Sequence, residues 1–324
     1  MPWDVRFDHG IWLPQIGWWL DAQKSTPRAI VTHGHSDHIA RHREVVCTRP
    51  TARFMQERLP GRRECHVLEF GQTEQLTLDC TVTLLPAGHI FGSALVRLEH
   101  AEHGTLLYTG DFKLRGGRAA ETCATPRADV LITESTFGLP RYVMPPTEQT
   151  EAAILEFCRR ALAEEITPVL FAYALGKSQE LLRLLDSAGL PVSLHPRAAR
   201  FARLYAELGA AMPAHRTLDT QGHRGHVVIA PAGDKLLDYV HPRRTAAVTG
   251  WALDSRTRYQ MGCDAAFPLS DHSDFKELLA FIDHVQPRTI YTVHGFAREF
   301  AATLRQRGHD AWALGRGNQL ELSL

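Results

Sequence analysis

The 324-residue chain reads as an α/β protein built from two textures. Three observations predict this. The first third alternates short β-type runs with turns. From about residue 146 helices alternate with strands, as in an α/β unit with its own core. After residue 265 the order becomes strand, helix, strand, helix.

In chain order, β-type runs fall at 29–32, 44–47, 65–70, 74–78, 80–85, 94–99, 105–109 and 129–133, with one helical piece near 50–59. Pro145-Pro146-Thr147 then opens a helix whose first turn carries Glu148 and Glu151, as the helix dipole favours. Its apolar stripe, Ile154, Phe157, Cys158, Ala161 and Leu162, follows the 3.6-residue period. A strand at 169–171, helices at 177–187 and 197–209, and strands at 226–230 and 245–249 complete the middle part. The last part holds a helix at 273–284, a strand at 288–293 and a helix at 296–307. Ser273 is the expected N-cap there, with Phe275, Leu278, Leu279 and Ile282 on one face. No internal repeat or low-complexity linker interrupts this order.

With 44% hydrophobic residues the chain can bury a substantial core. Its formal net charge of zero supplies no global field for a polyanion, so any such ligand must meet a local patch or bound metals. The six cysteines are scattered, which argues against a disulfide framework and fits a reducing cytoplasm. Ile16-Gly17-Trp18-Trp19-Leu20 is too short to span a membrane, so a soluble intracellular protein is expected.

The most informative stretch is His33-Gly34-His35-Ser36-Asp37-His38, directly after the apolar run Ala29-Ile30-Val31. His33 and His35 alternate, so both rings can converge on one side of a loop, with Asp37 and His38 left for a second ion. Imidazole and carboxylate at loop spacing suit borderline divalent ions such as zinc. A histidine-rich surface turn is the competing reading. Three further segments share one grammar, an apolar strand ending in a donor followed by small residues: Leu84 to His89, Leu106 to Asp111 and Ile290 to His294. Open α/β sheets gather ligands at the carboxyl ends of their strands, so these residues can meet at one edge.

Together, His33-x-His35-x-Asp37-His38, the Gly-His89-x-x-Gly-Ser segment and Thr-Gly-Asp111 resemble the metallo-β-lactamase superfamily. Glu134-Ser-Thr-Phe-Gly, Ser270-Asp271-His272-Ser-Asp and Val293-His294-Gly resemble its β-CASP nuclease branch. The opening, Gly10-Ile-Trp-Leu-Pro-Gln then Leu20-Asp21, looks most like the bacterial exonucleases associated with DNA ligases. The resemblance spans nearly the whole chain. It implies an αββα sandwich in two parts, 1–138 and 270–324, with a β-CASP domain inserted at 139–269.

The resemblance also implies roles. His33, His35 and His89 would hold one divalent metal, Asp37, His38 and His294 the other, and Asp111 would bridge them. Zinc is the expected ion, with manganese or cobalt able to support activity. Two ions ~3.5–4 Å apart lower the pKa of a shared water and polarise a phosphodiester for in-line attack. Asp21 would orient a ligand histidine from behind. His272 would be the general acid, its tautomer set by Glu134.

Arg115, Arg118, Lys177 and Arg256 are candidates for lining a polyanion channel, and Trp251 for stacking on a base. Each can equally be a solvated charge or, for Trp251, a buried side chain. Gly176-Lys177-Ser178 mimics the end of a phosphate-binding P-loop, but the glycine required five positions earlier is Phe171, which excludes that reading. The expected function is a two-metal DNA exonuclease acting in repair, associated functionally with a DNA ligase. RNA processing is the nearest alternative, because His294 replaces the apolar residue usual in the Artemis-type branch. The chain has no appended domain like that of RNase J, which favours DNA. A lactamase or thioesterase needs neither Glu134 nor His272, and a metal-free scaffold needs none of the ligands.

Overall fold

Short strands set the architecture, and none of those in the first part exceeds seven residues. The computed structural model describes residues 2–221 and 223–315. In chain order the elements are β1 (Arg6–Phe7), β2 (Ile11–Leu13), β3 (Trp18–Leu20), β4 (Arg28–Ile30), β5 (Glu44–Cys47), α1 (Arg49–Arg58), β6 (Glu64–Val67), β7 (Thr73–Thr77), β8 (Cys80–Pro86), β9 (Ala94–His100), β10 (Gly104–Tyr108) and β11 (Val130–Glu134). Then follow α2 (Thr147–Ala163), β12 (Thr167–Phe171), α3 (Lys177–Ser187), β13 (Val192–Leu194), α4 (Pro196–Glu207), β14 (Arg216–Thr217), β15 (Val227–Ala230), β16 (Arg243–Val248), α5 (Thr257–Gln260) and β17 (Ala265–Phe267). The last elements are α6 (Phe275–Val285), β18 (Thr289–Val293), α7 (Ala297–Gln306) and β19 (Asp310–Ala313).

The chain divides into two compact units. The first comprises Met1–Gly116, Ala120–Tyr142 and His272–Leu324, of which 1 and 316–324 lie outside the described residues. It contains two sheets, β1-β2-β3-β4-β5-β6 and β19-β18-β11-β10-β9-β8-β7. Ile11, Trp18, Leu20 and Val46 from one sheet share a core with Leu84, Val96, Leu106 and Ile132 from the other. α1 covers the outer face of the first sheet, where Met55 packs with Ala29, Val45 and Cys47. α6 and α7 cover the second sheet, with the Phe281 ring tilted against that of Phe112 at 4.4 Å and α7 packed along β18 and β19. This is an αββα sandwich. Alternation explains it: Val46 enters the inter-sheet core while its neighbours Val45 and Cys47 face α1.

The second unit comprises Gly117–Ala119 and Val143–Asp271. Its six strands, ordered β14-β13-β15-β12-β16-β17, are all parallel. Such a sheet must be covered on both faces. α2, α3 and α4 bury one face with Ile154, Leu181, Leu185 and Ala198, while Leu218, Leu237 and Val240 close the other. The borders lie at 142/143 and 271/272 rather than the expected 138/139 and 269/270. The reason is local: the Tyr142 ring packs on Phe137 and Phe296, and its carbonyl accepts the Phe275 N–H at 2.9 Å. Arg118 holds Glu151 of α2 at 2.6 Å, which ties 117–119 to the second unit.

Two further readings are corrected. The N-cap of α6 is Asp274, not Ser273: Asp274 accepts the Glu277 N–H and Glu277 accepts the Asp274 N–H, both at 3.0 Å, forming a capping box. Ser273 instead accepts the Leu114 N–H at 2.9 Å. Strands β1, β2, β13, β14 and β19 were not anticipated, since two to four residues carry too little periodicity to register. Among the described residues no helix is long and apolar enough to cross a membrane.

Candidate metal centre

The carboxyl ends of five strands of the first unit deliver the donors. β4 leads into His33 to His38, β8 into His89, β10 into Asp111 and β18 into His294, while Glu134 ends β11. His272 precedes α6 in the same unit.

His33 Nε2 lies 3.1 Å from His35 Nδ1, and His35 Nδ1 lies 3.0 Å from His89 Nε2. Asp111 Oδ2 stands 3.5 Å from His33 Nε2 and 3.8 Å from His89 Nε2. One central imidazole nitrogen cannot satisfy two others by hydrogen bonds alone. A tetrahedral ion with bonds of ~2.0–2.1 Å places its ligand atoms roughly 3.3 Å apart, so these four donors fit a divalent ion. The second expected set is more open. His38 Nε2 is 3.3 Å from Asp111 Oδ2 and 3.9 Å from Asp37 Oδ2, and the His294 ring lies 5.4 Å from that of His38. Asp37 is largely exposed, at 68% of its side chain. Asp111 stands between the two sets.

Burial keeps His33 and His294 neutral, well below and below the ordinary imidazole pKa, respectively. Burial acts on His38 in the same direction, but Asp111 and Asp21 outweigh it and raise its pKa well above the ordinary value. Burial would raise Asp111, yet His38 and His272 hold it well below the carboxylate range. An ion entering at His38 therefore has to displace a proton.

Asp21 is the hub behind these ligands. It is 4% exposed and carries a left-handed φ of 47°. Its Oδ1 accepts the Thr32 N–H at 2.8 Å, and its Oδ2 accepts the Thr32 hydroxyl at 2.6 Å, the Tyr108 hydroxyl at 3.0 Å and His38 Nδ1–H at 2.8 Å. Because the Thr32 hydroxyl donates to Asp21, it can only accept from His33 Nδ1, 3.0 Å away. One carboxylate thus turns the Nε2 atoms of both His33 and His38 towards Asp111. Asp21 falls within donor spacing of His33 and His38, and both of its oxygens already accept hydrogen bonds. Gly110, at φ 52°, is needed beside it, since a Cβ there would stand 2.5 Å from the Thr32 hydroxyl.

A second layer sits next to the first. Fully buried Glu134 faces His272 Nδ1 with both oxygens at 3.0 Å and accepts the Phe112 N–H at 2.8 Å and the Thr136 hydroxyl. The His272 ring lies 4.7 Å from that of His89 and is partly open to solvent. With Nδ1 held by Glu134, Nε2 is the nitrogen left to exchange a proton.

The His89 loop is clamped. Ser93 Oγ accepts the N–H groups of His89 and Ile90 at 3.1 and 3.2 Å. The Gly92 N–H reaches both oxygens of Glu121, and its carbonyl accepts the Thr48 hydroxyl at 2.6 Å. Thr32, Tyr108, Thr136, Thr48 and Glu121 were missed, and for all but Thr32 nothing in the local pattern marks them. Only Thr32 had a cue, its place between the strand and His33.

The basic candidates differ in what they already touch. Arg115 forks onto Glu277 through Nε and Nη2 at 2.8 Å, and Nη2 also reaches Asp274 at 2.8 Å. Arg118 is spent on Glu151 in the same manner. Lys177 is buried with Glu180 at 3.0 Å and Asp271 at 3.8 Å, and is no surface contact for phosphate. Arg256 is exposed but turned back on Asp254 at 2.7 Å, while Trp251 is 39% exposed after β16.

Comparison with known proteins agrees with this architecture. Residues 265–314 match a family model described as a Zn-dependent metallo-hydrolase RNA specificity domain. The whole chain is 56% identical to a probable DNA ligase of Opitutus terrae, of which it spans 32%. Over 81% of its length it is 29% identical to the 5' exonuclease Apollo of Gallus gallus, spanning 57% of that protein. Over 50% of its length it is 29% identical to the transcription termination factor FttA of Methanothermobacter thermautotrophicus, spanning 31% of it. A crystal structure of a protein of unknown function from Enterococcus faecalis V583 shares the fold at a TM-score of 0.59 and 12% identity, covering 84% of this chain and 76% of that one. The αββα sandwich, with a histidine–carboxylate cluster at its strand ends and an inserted α/β domain, defines the metallo-β-lactamase fold. The matches support placing the chain in the β-CASP branch of that superfamily.

Proposed function

We propose that the protein is a two-metal nuclease, with DNA as its substrate. The convergence of His33 Nε2, His35 Nδ1 and His89 Nε2 within 3.0–3.1 Å steps beside Asp111 carries this reading. In it, His33, His35 and His89 hold one ion, Asp37, His38 and His294 hold the other, Asp111 bridges, and the second compact unit is the β-CASP domain. Bound divalent ions, zinc first among them, would supply Lewis acidity and an activated water. The chain's own residues do the rest. Asp21 and Thr32 fix the ligand tautomers, and His272, steadied by Glu134, gives a proton to the leaving oxygen. Trp251 and Arg256 remain the candidates for touching the nucleic acid strand.

DNA is favoured because the 56% identical relative is named a probable DNA ligase and another an exonuclease, which also supports a role beside a ligase in repair. RNA is the second reading, favoured by the description of the model matching 265–314. Matched single-stranded DNA and RNA oligonucleotides, labelled at either end and incubated with zinc, manganese or cobalt, decide between them. Metal-dependent shortening of DNA in preference to RNA is expected. No cleavage of either with any ion would refute the nuclease reading.

A further inference from the structure

Away from this site, Cys47 and Cys65 lie on neighbouring parallel strands of the first unit. Val45 pairs with Cys65 and Cys47 with Val67, so the two cysteines are diagonal neighbours on the face that meets α1. Cys47 is buried at the end of β5, and Cys65 is exposed on β6, the edge strand of its sheet. We propose that Cys47 and Cys65 form a reversible, oxidation-responsive thiol pair in which Cys65 reacts first and Cys47 resolves it. Beside Cys47, Arg63 and His66, the Cys65 thiol is lowered to about 7. Its thiolate is therefore well populated at neutral pH, whereas Cys47 is pushed up by the same contact and by burial.

The chemistry balances with hydrogen peroxide as oxidant. The Cys65 thiolate attacks one peroxide oxygen, the O–O bond breaks, and the departing hydroxide takes a proton to become water. The resulting sulfenic acid is attacked by the Cys47 sulfur. An S–S bond forms, the S–O bond breaks, and the hydroxyl leaves as water with the Cys47 proton. The two sulfurs lose two electrons in all, and a dithiol reductant restores both.

Diagonal neighbours in a sheet have Cα atoms ~7–8 Å apart, against roughly 4.4–6.8 Å in a relaxed disulfide. β6 is bonded on one side only, so it is the strand that can shift, and the resulting strain makes the bond easy to reduce. The pull would also be felt at Thr48, which follows Cys47, caps α1 and holds the Gly92 carbonyl of the His89 loop. That consequence rests on the metal-site reading above, but the thiol chemistry does not.

The test treats the full chain with graded hydrogen peroxide and maps its peptides by mass with and without dithiothreitol. A reducible peptide pair joining Cys47 to Cys65 is expected, at peroxide doses that leave Cys80, Cys123 and Cys158 unmodified. Cys65→Ser should abolish it, and Cys47→Ser should leave a dimedone-reactive sulfenic acid at Cys65. The wild-type map stands even if Cys47→Ser misfolds. Oxidation of Cys65 to sulfinic acid without any link, or links only between chains, overturns the pair. Zinc binding measured separately should weaken in the oxidised protein. Unchanged binding refutes the link to the loop.

Discussion

Replacing Asp21 with asparagine would test how the site is held. Four donors meet the two oxygens of Asp21: the Thr32 N–H, the Thr32 and Tyr108 hydroxyls, and His38 Nδ1–H. In Asp21→Asn one oxygen remains, and an NH2 faces donors that previously found an acceptor. The hydroxyls can rotate, but His38 loses the carboxylate that holds its charged ring, and once neutral it can meet the amide only by flipping its tautomer, which puts the proton on Nε2, the atom turned towards Asp111. The same change frees the Thr32 hydroxyl from its fixed sense and with it the orientation of His33. Changes behind a metal ligand typically weaken binding ~10–100-fold, or about 1.4–2.7 kcal/mol. Removing one partner of a buried charged pair costs roughly 3–5 kcal/mol of stability, and an amide that keeps one acceptor should fall near the lower figure.

Two assays read this separately: competition for zinc against a chelating dye, and urea unfolding of the metal-free protein. The pH dependence carries a sign. His38 has a raised pKa in the folded state, so its pairing stabilises fully below the unfolded value and fades as pH rises through the folded one. The penalty for Asp21→Asn should be largest on the acid side of neutrality and shrink towards alkaline pH. Unchanged zinc affinity, or a penalty flat with pH, would refute the relay.

Other outcomes follow from the same contacts. His272→Ala and Glu134→Gln should each lower turnover ~10²–10⁴-fold while zinc content by atomic absorption stays normal, and loss of metal in either would assign these residues to the ligand set instead. Burial lowers His42 to about 4, so the unfolded chain binds the extra proton between there and the ordinary 6.5. Relative to His42→Gln, wild type should lose stability on acidification through that window, at no more than about 1.4 kcal/mol per pH unit, and parallel curves would exclude it. Phe281→Ala empties a fully buried position packed against Phe112 and should cost ~3–5 kcal/mol in urea unfolding, whereas a cost under 1 kcal/mol would show that α6 repacks.

Local sequence determined a good deal here. β5 at Glu44–Cys47 and α3 at Lys177–Ser187 were legible to the residue, because apolar runs and 3.6-residue stripes are properties of neighbouring positions. Candidate donors were marked as well, because His33, His89, Asp111 and His294 each follow an apolar run with small residues close by. Tertiary structure decided what those donors face. Tyr108 reaches Asp21 across 87 positions, Ser273 serves Leu114 across 159, and Arg115 meets Glu277 across 162. No periodicity records such pairings. The sequence could therefore name the histidines, while which way each ring faces and which carboxylates the arginines meet followed only when distant side chains were buried together and had to satisfy one another's hydrogen bonds.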